Sequence, residues 1–583
     1  MTLAQRIIKN LLNKPAKPYP PVYKRFEDWP IYKLSQDRKK FIEEIDEFTT
    51  KRLLKQHPKL YDLIAHTIYQ ERIRIKESPW KVDPPNEASF WNKIRNALLK
   101  TEDSKNKKIV VDSHKELLKK IIHRYSEEVV GTFSIPTFQF ARRFLTAFFN
   151  RLLNAAVERW WRMLGSRYRI HERLQVYGDI ETIQNLFHKG VVVVVPTHFS
   201  NLDSILIGYV MDEIMGLPSF SYGAGLNLYN SGIPAFFMNR LGAYRVDRRK
   251  KNDIYLETLK TMSNLSIQRG TNSLFFPGGT RSRSGIIENK LKLGLMGTIV
   301  EAQRAMCQNS EPKKIFIIPL TVSYHFVLEA PFLIHQHLQI VGKERYLKGK
   351  SEGNSLREWF KYVWQFFSKK SDIVLSFGKP MDVMGNFIDR EGISYDKHGC
   401  VVDIKDYFTS EVKDTEGEVN EDFQRETEYT KMLADKIVDR FHRENIVLSS
   451  HVIAFTAFNI LRQHNEDLDL YALLRLPQDD FVFPIEQFTA AIEAMQNALY
   501  ELADKGRLKL SDVIHLSPEE LIKDGMKNLG VYHINKPLTF NKEGDIESDD
   551  FYVLFYYHNR LENFGLTKRV RWERYKMETR IKD

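Results

Sequence analysis

The sequence predicts an α/β domain, a mostly parallel mixed sheet flanked by helices, set between helical N-terminal and C-terminal regions. Three observations lead there. Continuous apolar, β-branched runs such as 191–195 (VVVVV) and 315–324 (IFIIPLTVSY) lack a polar face, as strands buried on both sides require. Segments with helical apolar spacing alternate with these runs, the pattern of a parallel sheet with crossover helices. Outside this middle portion the apolar spacing is largely helical.

Taken in order, the chain opens with MTLAQRIIKNLLNK, where Leu3, Ile7, Ile8, Leu11 and Leu12 recur at helical spacing with Arg6, Lys9 and Lys14 between them. That pattern suits a basic amphipathic helix lying on anionic lipid. Charge and Asn10 interrupt the run too early for a signal peptide. Residues 15–31, rich in Pro and aromatic residues, read as an extended connector, and 36–125 as helices broken at 79–87 and 101–108. A second candidate for membrane contact, 140–164, places Leu145, Phe149, Leu152 and Trp160 on one broad arc. Burial of that arc within its own domain is the competing expectation.

From Gln175 onward strands and helices alternate: LQVYG, a helix to His188, GVVVVVPTH, the helix NLDSILIGYVMDEIM, then strands at 273–277, 315–324 and 372–378. Residues 411–428 are acidic and weakly apolar, a surface loop or insertion. Beyond Lys431 the pattern is mainly helical, with one further strand expected at 551–557 (FYVLFYY). The chain therefore divides into a helical region at 1–165 with possible membrane-surface helices, an α/β domain at 166–390, an acidic loop or insertion at 391–430 and a mainly helical region at 431–583.

Composition narrows the partners. Eighty-seven Lys and Arg against 75 Asp and Glu give a formal net charge of +12, which suits phosphate metabolites, acidic lipid or nucleic acid. No aromatic–basic recognition motif points to nucleic acid. Cys307 and Cys400 are the only cysteines, far apart and in no metal-like spacing, so neither a disulfide framework nor a metal site is expected. No stretch reaches the ~18–20 apolar residues of a spanning helix. A peripheral or monotopic protein on the cytoplasmic face of a membrane is the expectation.

One spacing, His-x4-Asp, occurs three times, at His57/Asp62, His198/Asp203 and His464/Asp469. Context separates them. His57 and His464 lie in polar stretches, whereas His198 follows a buried strand and precedes a helix. Ligands of open α/β sheets gather at the carboxyl ends of strands, and Ser200 or Asn201 as N-cap puts Asp203 in the first helical turn. There Asp203 can fix one ring nitrogen of His198, leaving the other to take a proton from a hydroxyl group.

Three later segments add binding groups. LGAYRVDRR (241–249) presents Arg245, Arg248 and Arg249 after a turn at Gly242. FFPGGTRSRSG (275–285) ends a strand in Gly278 and Gly279, then offers Thr280, Arg281 and Arg283. Such turns expose backbone N–H groups, and paired arginines bind phosphate oxygens bidentately. In 315–329, Pro319 interrupts a buried strand, which suggests a bulge or an edge beside a site.

HFSNLD, GAYRVDR, PGGTRSRSG and IIPLTVSY, in that order, resemble the four sequence blocks of the glycerol-phosphate acyltransferases. The resemblance covers about residues 170–385, including FGKP at 377–380, and extends to 433–455 and 554–566. These tail segments look like the long glycerol-3-phosphate and dihydroxyacetone-phosphate enzymes rather than the short lysophosphatidate ones. It implies His198 as base, Asp203 as its orienter, and Arg248, Arg281 and Arg283 as phosphate ligands. It implies backbone N–H groups of Gly278, Gly279 and Thr280 near the oxyanion, and the Pro319 block near the acyl donor. Acyl transfer from acyl-CoA or acyl carrier protein to the sn-1 hydroxyl of glycerol 3-phosphate follows, with no metal or prosthetic group. Dihydroxyacetone phosphate, lysophosphatidate or another alcohol as acceptor, or a lapsed lipid-binding scaffold, are the alternatives. One departure stands out: Gly278 occupies the place of the family's glutamate, and Glu288, ten residues on, is the candidate to replace it in space.

Overall fold

A computed structural model describes residues 19–102, 106–154, 174–229, 232–309, 313–341, 373–409, 417–477, 481–531 and 533–579. The proposed helix within the first 14 residues, and the part of 140–164 beyond Asn154, lie outside the described residues.

Helices α1 (Arg38–Gln56), α2 (Leu60–Glu77), α3 (Glu87–Glu102) and α4 (Lys107–Val129) form the N-terminal region, followed by α5 (Ile135–Asn154). The break between α2 and α3 takes in Pro84 and Pro85, which disfavour a helix interior. Phe41, Ile45, Leu118 and Ile121 line an apolar interior that also takes in Ile254 and Tyr255 of a later helix.

The α/β domain is built on a seven-stranded sheet in the order β1-β7-β6-β2-β5-β3-β4. Its strands are β1 (Leu174–Tyr177), β2 (Gly190–Pro196), β3 (Ser221–Gly225), β4 (Ala243–Val246), β5 (Ser273–Leu274), β6 (Lys314–Tyr324) and β7 (Ile373–Phe377). Five strands, β2 to β6, run one way; β1 and β7 pair parallel with each other and antiparallel to β6. The sheet is thus mixed and mostly parallel, as its continuous apolar strands predict. The connecting helices include α6 (Ile180–Lys189), α7 (Asp203–Tyr209), α8 (Gly232–Met238), α9 (Asp253–Gln268), α10 (Leu293–Cys307) and α11 (Ala330–Val341).

Three expectations are corrected. Pro319 lies in no edge strand: β6 is central, with β2 on one side and β7 on the other. The missing N–H is tolerated because β7 ends at Phe377, opposite Leu320, and Pro319 meets the departing chain through its carbonyl, which accepts from the Gly378 N–H at 2.8 Å. The segment 551–557 is helix, not strand (α16, Phe551–His558), buried on all sides, where neither period 2 nor period 3.6 leaves a mark. The segment 391–430 is not simply a loop. Short strands at Phe387–Ile388, Ser394–Tyr395 and Val401–Val402 form a three-stranded sheet, and helix α12 (Phe423–Arg443) begins inside the acidic run, N-capped by Asp422.

The C-terminal region adds α13 (Ser449–Gln463), α14 (Ile485–Asp504) and α15 (Pro518–Asn528) before α16. One apolar cluster runs unbroken from Val193 of β2 through Phe316 and Ile453 to Leu554 of α16. The sheet and the C-terminal helices therefore share a single interior.

Candidate active site

β2 carries its valines to Pro196, and the chain leaves the sheet through Thr197 into the turn 198–202. Thr197 still belongs to the sheet register: its N–H donates to Leu320 O at 2.9 Å, and its Oγ1 accepts from Val322 N. His198 is therefore held at the carboxyl end of β2, between the ends of β5 and β6.

His198 Nδ1 lies 2.8 Å from Asp203 Oδ2. The same oxygen accepts from the Phe199 and Ser200 N–H groups at 2.7 and 2.9 Å, and Oδ1 accepts from the Tyr324 hydroxyl at 2.6 Å. Asp203 is wholly buried. With backbone and phenol donors converging on it, its carboxylate acts as an acceptor and Nδ1 carries the proton, which turns Nε2 away as the basic nitrogen. Burial, reinforced by Asp203, holds the Tyr324 phenol far above its ordinary pKa, so it stays a donor. Neither Ser200 nor Asn201 caps α7; Asp203 is its first residue and gathers the preceding N–H groups itself. The ring of His198 stacks on Phe276 at 4.1 Å between centroids, which fixes its plane.

The other two His-x4-Asp pairs do other work. His464 contacts the Ile460 carbonyl and accepts from Met577 N, while Asp469 caps a short helix. His57 ends α1 as its C-cap.

The arginines part company. Arg249 is committed to the fold: it pairs with Asp247 and Asp83, donates to the Ser78 carbonyl and lies 4.3 Å over the Trp80 ring. Arg245 is likewise spent, donating to Asn239 Oδ1. Arg248 instead reaches the 278–280 turn and donates to the Gly279 carbonyl. Burial lowers its pKa, and so do the neighbouring charges of Arg281 and Arg283. Three like charges gathered beside one turn have the electrostatics of an anion site. Glu329 neutralises part of this charge, lying 3.4 Å from Arg281 while accepting from Ser200 Oγ and Asn201 N.

The turn itself is tight. Gly279 has φ +76°, where glycine is favoured, and its N–H donates to Phe276 O at 2.9 Å. That N–H closes the turn. Pro319 lies along the sheet behind this cluster, beside Val195 of β2.

Beside Glu288, which the sequence offered as a spatial replacement, several groups were not foreseen. Ser282 N donates to the His198 carbonyl at 2.7 Å, and Glu288 Oε1 accepts from His198 N at 3.1 Å. Arg560, from the segment just after α16, is fully buried with its guanidinium 4.2 Å over the Phe199 ring. It donates to Val322 O, Ser323 Oγ and Asn445 Oδ1. Burial lowers its pKa to about 10, opposed by the charges of Glu288 and Asp203, so it is cationic at neutral pH. His451 of α13 meets the Tyr324 carbonyl at 3.1 Å. Both tail segments singled out by resemblance thus close on the end of β6. The signal for Arg560 was a lone arginine after the apolar LFYYHN, visible only once that run is known to be buried.

Comparison with known proteins finds relatives over part of the chain. A family model described as acyltransferase matches residues 175–323. A glycerol-3-phosphate acyltransferase of Shewanella amazonensis is 24% identical over 427 residues, covering 70% of this chain and 45% of that protein. One from Pseudomonas aeruginosa is 26% identical over 268 residues, covering 46% and 28%, and one from Shewanella woodyi is 24% identical over 446 residues, covering 74% and 47%. The chain thus spans less than half the length of these curated relatives. A solved structure titled 1-acyl-sn-glycerophosphate (LPA) acyltransferase, PlsC, from Thermotoga maritima overlaps at 13% identity and a TM-score of 0.24, covering 65% of this chain and 95% of that one.

Proposed function

We infer that this chain, whose residues 175–323 are an acyltransferase domain related to glycerol-3-phosphate acyltransferases, acylates the sn-1 hydroxyl of glycerol 3-phosphate. The observation that carries the reading is the His198–Asp203–Tyr324 chain at the end of β2, set beside the Arg248, Arg281 and Arg283 cluster. His198 Nε2 takes the proton of the acceptor hydroxyl as its oxygen attacks the thioester carbonyl of acyl-CoA or acyl carrier protein. The C–S bond then breaks, the ester forms, and the thiolate recovers the proton from His198. The arginines hold the acceptor's phosphate, and N–H groups of Gly278 and Thr280 face the oxyanion, since that of Gly279 is engaged. The strand bearing Pro319 backs the acyl-donor side.

Turnover of labelled acyl-CoA and acyl carrier protein against glycerol 3-phosphate, dihydroxyacetone phosphate and lysophosphatidate tests this. Glycerol 3-phosphate is expected to be the best acceptor, and His198→Ala to lose about 10²–10⁴-fold in kcat. Undiminished turnover in His198→Ala overturns the mechanism; no turnover with any acceptor overturns the reaction.

A lipid-surface location has its own support. No described helix is long and apolar enough to cross a membrane. On α5 and α8, however, Phe140, Phe144 and Phe236 are 60%, 55% and 48% exposed, with Phe140 stacked on Phe237. Arg143 is exposed alongside, and Arg240 lies over Phe236. Exposed aromatics ringed by arginine suit the headgroup layer of an anionic, cytoplasm-facing membrane. Flotation with phosphatidylglycerol vesicles is expected to fall in a Phe140→Ser/Phe144→Ser/Phe236→Ser variant; equal flotation would remove this face from consideration.

A further inference from the structure

Gly278 does not owe its identity to backbone conformation. Its φ is not among the positive values of the chain, unlike that of Gly279 next to it. Space accounts for it instead. A Cβ at 278 would stand 3.1 Å from Glu288 Cγ and 3.2 Å from Glu288 Oε1, close enough that the carboxylate would have to give way by a few tenths of an ångström. The carboxylate of Glu288 therefore occupies the volume over residue 278.

From that position it acts on the histidine. Glu288 Oε1 accepts from His198 N, while Ser282, six residues earlier on the same loop, donates to His198 O. The loop bearing Arg281 and Arg283 thus grips the peptide groups of His198 from both sides. Glu288 Oε2 is buried with no hydrogen-bond partner among the described residues, and the charges that face the carboxyl are those of His198 and Arg560. Such a group is costly to bury unless it is paired.

We propose that Glu288 is a positioning residue for His198, and that Gly278 is bare so that this carboxylate, supplied from beyond the turn, can stand where a side chain of residue 278 would. The inference rests on His198 serving as base. A displacement of the ring on the order of 1 Å is enough to lose about 10²-fold in rate. A displaced base slows the chemical step more than it weakens acceptor binding, so the loss falls on kcat rather than KM.

The test compares Glu288→Ala, Glu288→Gln, Gly278→Glu and the double variant Gly278→Glu/Glu288→Ala in the full chain. Glu288→Ala is expected to lower kcat about 10²-fold with KM within a few-fold. Glu288→Gln keeps the acceptor for His198 N–H and is expected to stay within about ten-fold of the native rate. The double variant is expected to recover at least about ten-fold over Glu288→Ala, because the carboxylate returns from the other side of the same space. Native kcat in Glu288→Ala, or a double variant no faster than either single one at equal thermal stability, overturns the proposal. A readout free of turnover separates it from the acyl-transfer reading: ethoxycarbonylation of His198, followed by peptide mass spectrometry. Its rate should change in Glu288→Ala and return in the double variant, whatever the substrate; an unchanged rate in Glu288→Ala also overturns the proposal.

Discussion

At the scale of single residues, adjacent arginines show how little a motif says about its members. Arg248 and Arg249 sit side by side in one basic run, yet one reaches the Gly279 carbonyl and the other is locked to Asp247 and Asp83. Arg249→Met should cost about 1–3 kcal/mol of stability by taking the guanidinium from buried Asp247, while Asp83 keeps Arg74 and the Trp80 N–H. Arg248→Met should leave the melting temperature nearly unchanged and raise KM for the phosphate acceptor; the reverse pattern would exchange their roles. Glu288 gives a pH prediction. Burial raises its pKa from 4.5 to about 7, against the lowering effects of the His198 N–H and Arg560. The folded state then holds the proton more tightly than the unfolded one, so stability falls as pH rises between these values and the loss is complete above about 7. Glu288→Gln removes that loss. Its unfolding free energy relative to the native protein should therefore climb from pH 5 to pH 8 in denaturant titrations, and a flat difference would contradict it. His198 and Asp203 were legible from setting alone, because strand ends and helix starts are written in local sequence. The division between Arg248 and Arg249 was not, since the carboxylates that choose between them include Asp83, remote in the chain.

At the scale of elements, what was legible tracked burial. β2 and β6 were plain because both their faces are apolar and their ends are marked by Thr197–His198 and Tyr324. α16 carries an equally apolar run and was mistaken for a strand, since a segment buried all round shows no period of either kind. Its Asp550 N-cap is what distinguishes it. Packing behind it is close: a Cβ on Gly525 of α15 would stand 2.8 Å from Ile453 of α13. Gly525→Ala is expected to cost about 1–3 kcal/mol by wedging these helices apart, read as a lowered chemical-denaturation midpoint. A gain in stability would show that helix propensity, not packing, governs that position. On the other flank, Asn252 caps α9 through the Tyr255 N–H and joins Glu71 of α2 to Tyr125 of α4. A buried polar network of this kind fixes the N-terminal helices in one register against the sheet domain.

At the scale of the molecule, the shared interior makes the sheet and the C-terminal helices one cooperative unit. Leu554 of α16 has no exposed surface and belongs to the same cluster as Val193. Leu554→Ala should cost about 2–5 kcal/mol, and hydrogen exchange should register the loss at the β2 amides as fully as in α16. Faster exchange confined to α16 would reveal a separable tail. Pairs from Arg52 to Glu257 and Glu301, and from Lys250 to Glu128, bind the N-terminal helices to the same body. None of this long-range pairing is written in local sequence, because its partners lie over a hundred residues apart and meet only through the fold.

The placement of Arg560 also has a consequence in time. A ribosome makes the turn at His198 long before it makes the guanidinium that lies over Phe199, and at about 5–20 residues per second the interval runs to tens of seconds. Throughout that interval the growing chain holds its histidine turn unfinished, with Glu288 lacking its nearby cation. The setting of His198 is in this sense completed by a residue made long after it, and a translation product stopped before Arg560 would carry His198 and Asp203 without the cation that lies over Phe199.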